Sequence, residues 1–343
     1  MKRLPVSFVL FCVIFAAISI WRYRFLRTHE VGSTERTKVL MDTLVRIEIF
    51  DKDEGKSRAT LELAFEEIER LDHVFSRYLA ESEVSSINRN AGRDAVMVSK
   101  DVIAVLQRSI HFSEISKGAF DVTVGAVSQL WDFTSAEPTL PEQARTEEQL
   151  EHVDYGKIMM SNGRHVGLSD SGMAIDLGGV AKGYAVDRAL QVLKENGVAS
   201  SLVDAGGDIG LLGSKPDGKL WRIGVQHPRD MQRMIAVIEI DSGSVATSGD
   251  YERYFMRDGR RYHHILDPKT GWPARNCMSA TIVTKRAMDA DILATAVFVL
   301  GPEKGLAFIE GLPGVEGLLL FEEGGQIEHA VSGGLGENIT FNK

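Results

Sequence analysis

The sequence predicts an α+β fold: mixed, largely antiparallel sheets with helices packed on them, in a single large domain. Three observations predict it. Apolar residues recur at helical spacing mainly before residue 200. Alternating, strand-like runs separated by glycine turns predominate after it. The balance of 44% hydrophobic and 25% charged residues over 343 positions is that of a globular chain with one large or two ordinary domains.

Charge and cysteine content narrow the function classes. The net charge is -9 and no long basic run follows residue 30, which argues against a nucleic-acid partner. The only cysteines are Cys12 and Cys277, and Cys12 lies in the N-terminal apolar run. The folded part therefore has one cysteine, with no internal disulfide and no Cys-based zinc site.

Residues 1–24 read as a membrane anchor or signal segment, 25–37 as a linker and 38–343 as the folded domain. Lys2 and Arg3 precede an apolar run from Leu4 to Trp21, about the length that spans a bilayer. Trp21, Arg22, Tyr23 and Arg24 follow at once, as at a membrane interface. An uncleaved single-span anchor is expected; Ala17-Ile-Ser19 offers a weak cleavage point for the alternative, a cleaved signal.

Lys38 to Phe50 alternates around Val39, Met41, Val45, Ile47 and Ile49 and predicts a strand. Ser57 to Tyr78 places Leu61, Phe65, Ile68, Leu71 and Phe75 at helical spacing. A buried helix end explains Phe75 and Tyr78; an exposed Arg77-Tyr78 pair stacking on a flat aromatic ligand is the other reading. Glu81 to Ala95 reads as a polar loop. Ser99 is a candidate N-cap for a helix through Ile103, Leu106 and Ile110, and Gly118 a candidate stop. Gly118-Ala-Phe-Asp-Val-Thr-Val-Gly125 reads as a turn entering another helix. Asp121 either accepts a ligand N–H or caps that helix. Trp131 to Glu151, rich in Pro, Glu and Thr, reads as an irregular surface insertion.

The stretch Ala174-Ile-Asp-Leu-Gly-Gly-Val-Ala-Lys-Gly-Tyr-Ala-Val-Asp187 reads as strand, tight turn and helix. Gly178 and Gly179 allow close approach to the backbone. A helix start suits an anion such as phosphate. Lys182 has the wrong sign for that helix end. A negative ligand explains it; a solvated lysine on an ordinary turn is the bland alternative. Leu202 to Gly213 is glycine-rich but follows the 180–196 helix and lacks dinucleotide-binding spacing, so a strand and turn is expected rather than a Rossmann site. Trp221 to Gln226 and Met234 to Ile240 read as paired strands, with turns at Asp217-Gly218 and Pro228-Arg-Asp.

Two later segments carry chemistry candidates. In Tyr262-His-His-Ile-Leu-Asp-Pro-Lys-Thr-Gly271 the adjacent His263 and His264 point to opposite faces of a strand. One can enter a site while the other is solvated. In Met288-Asp-Ala-Asp-Ile-Leu-Ala-Thr295, Asp291 and Thr295 share one helix face. Their oxygens suit a hard cation such as Mg²⁺; helix capping by Asp289 or Asp291 is the competing reading.

Taken in order, these motifs resemble a known family. Met41-Asp-Thr43, Phe75-Ser-Arg-Tyr78, Gly118-Ala-Phe-Asp121, Asp176-Leu-Gly-Gly-Val-Ala-Lys-Gly183, Asp204-Ala-Gly-Gly-Asp208, Thr247-Ser-Gly-Asp250, His264-Ile-Leu-Asp-Pro268 and Asp291 to Thr295 are similar to those of the ApbE-like FAD:protein FMN transferases. The resemblance covers roughly residues 38 to 335. It implies a periplasmic enzyme of the bacterial inner membrane, with FAD bound in a cleft of one domain. Such enzymes cut FAD at its pyrophosphate and join FMN through a phosphoester to a Thr or Ser hydroxyl of an acceptor protein. AMP is released and Mg²⁺ is required. The acceptor implied is a membrane or periplasmic redox subunit with an exposed hydroxyl. The first motif usually reads Met-Gly-Thr, whereas Asp42 stands here.

The resemblance puts Asp291, Thr295 and the Gly179 carbonyl on Mg²⁺. It puts Met41, Tyr78, Ala119, Phe120, Asp121, Asp176, Lys182 and Ile265 around FAD. His264 is the residue type in these motifs that titrates near neutrality, which suits the base that activates a hydroxyl; Asp267 is the candidate to orient it. An Mg²⁺-dependent FAD pyrophosphatase and a non-catalytic FAD-binding protein remain alternatives.

Overall fold

The computed structural model describes residues 32–133, 135 and 137–342, so the segment 1–24 lies outside the described residues. Among those residues no helix is long and apolar enough to cross a membrane.

The chain opens with a hairpin of β1 (Ser33–Leu40) and β2 (Thr43–Phe50). It was expected as one strand. The break falls at Met41 and Asp42, both with positive φ (53° and 57°), the backbone of a tight two-residue hairpin turn. Glycine is the easiest residue in that conformation, which gives a backbone reason for the usual glycine at the position of Asp42. The first strand also begins at Ser33, within the stretch read as linker. In β2, Val45, Ile47 and Ile49 are fully buried and alternate with more exposed neighbours, as a half-buried strand requires.

Helix α1 (Glu54–Phe75) is capped by Asp53, whose side chain accepts from the Lys56 N–H, and buries Leu61, Phe65, Ile68, Leu71 and Phe75. The expected loop at 81–95 contains a short helix, α2 (Glu83–Arg89), capped by Ser82, with Val84 and Ile87 buried. Its three turn-forming serines and its brevity hid the periodicity. A short strand β3 (Val96–Met97) precedes α3 (Lys100–Ile115), whose cap is Ser99, as predicted. The 118–125 turn leads into one turn of helix, α4 (Gly125–Ser128). The stretch 131–151 is less irregular than its composition suggests. It contains α5 (Gln143–Leu150), and Trp131 is buried in an aromatic cluster with Phe133, Phe255, Tyr262 and Trp272.

Strands β4 (Ile158–Ser161) and β5 (His165–Leu168) pair with β3 in a small sheet. Helix α6 (Ala181–Glu195) follows. The residues just before it form no strand: Ala174 makes one isolated parallel bridge to Val124. Asn88 of α2 holds that extended segment by accepting from the Ile175 N–H (2.7 Å) and donating to its carbonyl (3.0 Å).

Then come β6 (Ser201–Ala205), β7 (Asp208–Leu212), β8 (Trp221–His227), β9 (Asp230–Ile240), β10 (Gly243–Gly249), β11 (Tyr254–Arg257), β12 (Arg260–His263) and β13 (Ser279–Thr284). Helices α7 (Ala287–Leu300) and α8 (Pro302–Glu310) and strands β14 (Glu316–Glu323), β15 (Gln326–Val331) and β16 (Ile339–Phe341) complete the described chain.

The main sheet has eight strands in the order β1-β2-β6-β7-β10-β13-β14-β15, every neighbouring pair antiparallel. Helices α1, α6 and α7 cover one face and share its core. The β16-β9-β8 sheet covers part of the other. Helix α7 is apolar on nearly all sides and correspondingly buried, so its few polar residues stand out.

Helices α6 and α7 meet at Gly183. A Cβ there would lie 2.3 Å from the Ala287 carbonyl oxygen and 2.8 Å from the Asp291 Cβ. Gly183→Ala should therefore push α7 off α6 and lower unfolding stability by about 1–3 kcal/mol, the usual cost of overpacking. Chemical denaturation checks this, and an unchanged midpoint would contradict the close crossing.

Candidate active site

The crossing of α6 and α7 also satisfies the helix starts reciprocally. Asp187 of α6 accepts from the Ala287 and Met288 N–H groups of α7 (2.8 and 3.2 Å). Asp291 of α7 accepts from the Gly183 N–H of α6 (3.0 Å) through Oδ2. The capping reading of Asp291 is thus correct in kind but for the other helix. Asp289 does not cap; it makes a bidentate ion pair with Arg108 (2.7 and 2.8 Å). An anion at the start of α6 would find this donor already taken by a carboxylate.

Lys182 explains itself within the chain. Its amine pairs with Asp208, the last residue of the Asp204-Ala-Gly-Gly-Asp208 motif. Asp208 is 2% exposed and Lys182 28%, so the acid is interior and the amine still faces the cleft. Asp291 is 4% exposed. Burial first, and then mutual repulsion, pushes the Asp208 carboxyl well above the carboxylate range. Burial pushes Asp291 up as well, against the pull of Lys182. The two carboxyls lie within hydrogen-bond reach of each other. Two acids this close in the interior cannot both ionise beside a single lysine; they share a proton unless a bound cation replaces it.

Thr295 lies one helical turn beyond Asp291 on the same face. Its hydroxyl is 3.3 Å from that of Ser248, in the Thr247–Asp250 motif. A Cβ at Gly179 would approach the Thr295 Oγ1 to 3.0 Å and the Phe120 ring to 3.2 Å. Gly179 thus lies against Thr295, with Asp291 one turn back on the same helix and Ser248 beside Thr295. Among the described residues no group of three or more His, Cys, Asp or Glu side chains is placed to hold a metal. A cation here would take two carboxylates, a hydroxyl and a backbone oxygen, all hard donors.

The flavin candidates divide into a rim and a wall. Phe75 is buried while Tyr78 is 73% exposed, so the buried-end reading holds for Phe75 and not for Tyr78. Arg77 lies against the Tyr78 ring (4.9 Å) and pairs with Asp176 (3.0 Å). Asp176 also accepts from Ser128 (2.9 Å) and from the Gly178 N–H (2.9 Å), which shapes the glycine turn. Ala119, Phe120 and Ile265 are buried and form wall rather than surface. Asp121 is buried too. One oxygen accepts from the Thr123 N–H and hydroxyl and the other from the Tyr155 N–H, so it orders its own loop rather than capping α4. Met41 is half-buried at the hairpin turn, its N–H donating to Asp72 (2.9 Å).

The two histidines separate, though not as buried-against-solvated in the sense expected. His263 is buried, its Nε2 2.7 Å from the Ala274 carbonyl and its ring edge-on to Phe298. It is a core residue. His264 is exposed, and its Nδ1 lies 3.3 Å from the Arg253 carbonyl. That carbonyl also accepts from the His264 backbone N–H (3.1 Å); a ring bond to it places the proton on Nδ1 and leaves Nε2 as the acceptor. The His264 pKa is lowered from its ordinary value, first by desolvation, then by His263, Arg253 and Lys182, which favours the neutral imidazole at pH 7. The expected orienting partner, Asp267, does other work. Its Oδ1 accepts from the Lys269 N–H (2.9 Å) and its backbone carbonyl from Thr270 and Gly271. Among the described residues no hydrogen bond joins it to His264; the Arg253 carbonyl takes that place.

An exposed imidazole, a buried acidic pair with a lysine, and a glycine turn held by Asp176 near the exposed Tyr78 suit an enzyme that acts on a phosphate-bearing ligand. The comparisons agree. The chain belongs to the ApbE family, whose sequence profile matches residues 41–319. It is 36% identical over 310 residues to an FAD:protein FMN transferase of Treponema pallidum, covering 85% of this chain and 86% of that one. It is 35% identical over 272 residues to one from Klebsiella pneumoniae, covering 78% and 83%. The crystal structure of the ApbE protein of Thermotoga maritima superposes with a TM-score of 0.82 at 37% identity, over 90% of this chain and 99% of that one. The flavin transferase ApbE of Vibrio cholerae gives 0.81 at 28% identity, with the same coverage.

Two measurements check the histidine assignments. In a ring-proton NMR titration His264 should protonate only below the ordinary value of about 6.5; a midpoint at or above that value would contradict the cationic, partly dry setting. His263→Ala should destabilise the fold by about 2–4 kcal/mol through a lost buried contact and hydrogen bond, measured by denaturant titration. A neutral effect would show that its ring is not core.

Proposed function

We infer that this protein is an FAD:protein FMN transferase. It cleaves FAD at the pyrophosphate and attaches FMN to a hydroxyl of an acceptor flavoprotein, releasing AMP. The observation that carries this reading is the His264 imidazole, neutral, exposed and held with Nε2 free. An acceptor Thr or Ser hydroxyl is a weak nucleophile until its proton is taken. His264 Nε2 takes that proton as the hydroxyl oxygen bonds to the phosphorus of the FMN half. The bond from that phosphorus to the bridging oxygen breaks, and AMP leaves with the oxygen. Lys182 offsets negative charge on the phosphates. Arg77 and Asp176 hold the rim where Tyr78 offers a stacking face, with Met41, Ala119, Phe120, Asp121 and Ile265 behind it.

Magnesium is the cation we propose for Asp291, Thr295 and the Gly179 carbonyl, with Asp208 alongside. The buried acid pair, which can ionise fully only beside a further cation, and the all-oxygen donor set support it. When bound, it supplies fixed positive charge against the charge that builds on phosphate oxygens. The apolar run at 4–21 supports attachment to the inner membrane, with the enzyme in the periplasm and the acceptor a redox subunit there.

Incubation with FAD and Mg²⁺, with and without an acceptor protein, tests the reaction class. A transferase yields flavin covalently bound to the acceptor. Free FMN in equal amount in both arms would indicate a pyrophosphatase, and absence of AMP a binding protein. In single-turnover transfer, His264→Ala should lower the rate by about two to four orders of magnitude, the usual worth of a placed base. FAD affinity, read by flavin fluorescence, should change far less. Normal transfer by that variant would remove His264 from the mechanism.

A further inference from the structure

The hairpin β11–β12 runs directly into His264, and its composition runs against that of the chain. Residues 252–261 hold Arg253, Arg257, Arg260 and Arg261 against Glu252 and Asp258, a net of four minus two, or +2, in a chain of net charge -9. The arginines fall into two sets. Arg261, with Arg229 from the β8–β9 turn, is engaged by the buried Asp250: Arg229 is bidentate (2.7 Å each) and Arg261 lies at 3.0 Å. Arg261 also stacks on Tyr254 (4.1 Å). These contacts fix the root of the hairpin. Among the described residues no acid pairs with Arg253, Arg257 or Arg260. All three are exposed, and Arg260 meets only the face of Tyr262 (5.4 Å).

By register Arg257 and Arg260 share a face with Phe255 and Tyr262, and that face is backed at its root. Phe255 and Tyr262 stack on each other (5.5 Å), and Tyr262 stacks on Trp131 (6.2 Å). Among the described residues no further strand pairs with β11 or β12. This is a braced arm with unpaired positive charge, ending at the base. The arginines at its tip do not fit the phosphates of FAD. Arg260 is four residues from His264 along an extended strand, about 13 Å at the usual rise, whereas the reacting phosphate has to lie within reach of the base. A lipid surface on the arm would cover the position from which an acceptor must approach His264.

We propose that the β11–β12 arm is the docking surface for the acceptor protein and selects an acidic segment flanking the hydroxyl to be modified. The inference rests on the transferase reading and adds the chemistry of its protein substrate. Arg253, Arg257 and Arg260 supply attraction over several ångströms. Exposed charges of this kind act on encounter and salt dependence more than on the chemical step.

Two fluorescently labelled threonine peptides of equal length, one flanked by aspartates and one by asparagines, test it by binding to the full-length, FAD-loaded protein. The acidic peptide should bind about tenfold more tightly at low salt, and the preference should fade as salt rises. It should vanish in Arg257→Glu/Arg260→Glu and persist in Arg257→Lys/Arg260→Lys, with FAD affinity and AMP release in water unchanged in both. Equal binding of the two peptides to the wild type overturns the proposal. So does loss of FAD affinity in the glutamate variant, which would put the arginines in the flavin pocket. Arginine-dependent binding of phosphatidylserine vesicles without a peptide preference would assign the arm to a membrane and overturn it as well. Failure of the transferase reading is distinct: it shows as absence of covalent flavin on the acceptor protein, whatever the peptides do.

Discussion

The site depends on one contact, the crossing of α6 and α7 at Gly183. Each helix start is satisfied by a carboxylate of the other, Asp187 in one direction and Asp291 in the other. That exchange fixes the rotation of both helices. With rotation fixed, Lys182 faces Asp208, and Asp291 and Thr295 line up one turn apart beside Gly179. A buried carboxylate that gives a backbone hydrogen bond its acceptor is held in place more firmly than an exposed one. The acidic pair is thus placed by the fold before any ligand arrives. Beside Lys182 alone the two acids share a proton, and a cation that displaced it would let both ionise.

Neighbouring residues of the same type take opposite roles throughout the cleft. His263 braces the core while His264 opens to it. Asp289 closes a surface ion pair with Arg108 while Asp291 points inward. Phe75 fills the end of α1 while Tyr78 stands out from it. In each pair a short step along the chain turns one side chain into the packed interior and leaves the other out of it. His264 shows the consequence: the buried His263 and the root of the β11–β12 hairpin fix the Arg253 carbonyl, which sets the imidazole tautomer.

Much of this was legible in the sequence. The strand alternation of β2, the Ser99 cap and the β8–β9 hairpin follow from local pattern, whereas the stretch read as one strand and a turn at 202–213 is the hairpin β6–β7. The grouping of Gly179, Asp291 and Thr295 came from a resemblance of ordered motifs. What stayed hidden was set by tertiary contacts. Nothing local shows that Asp208 meets Lys182, that Asp187 caps a helix a hundred positions away, or that a carbonyl at 253 rather than Asp267 orients His264. Helix α2 was missed because its apolar stripe is only two residues long, and α5 because its composition is that of a loop. The turn at Met41 and Asp42 was missed because the alternation on either side reads through it.

The central claim is that this crossing builds one cation site from Asp208, Asp291, Thr295 and the Gly179 backbone. Manganese, a paramagnetic stand-in for magnesium, tests it directly when its binding is followed by electron paramagnetic resonance. The account predicts one tightly bound Mn²⁺ per chain, displaced by Mg²⁺, lost in Asp291→Ala and retained in His264→Ala. Undiminished Mn²⁺ binding by Asp291→Ala would contradict it.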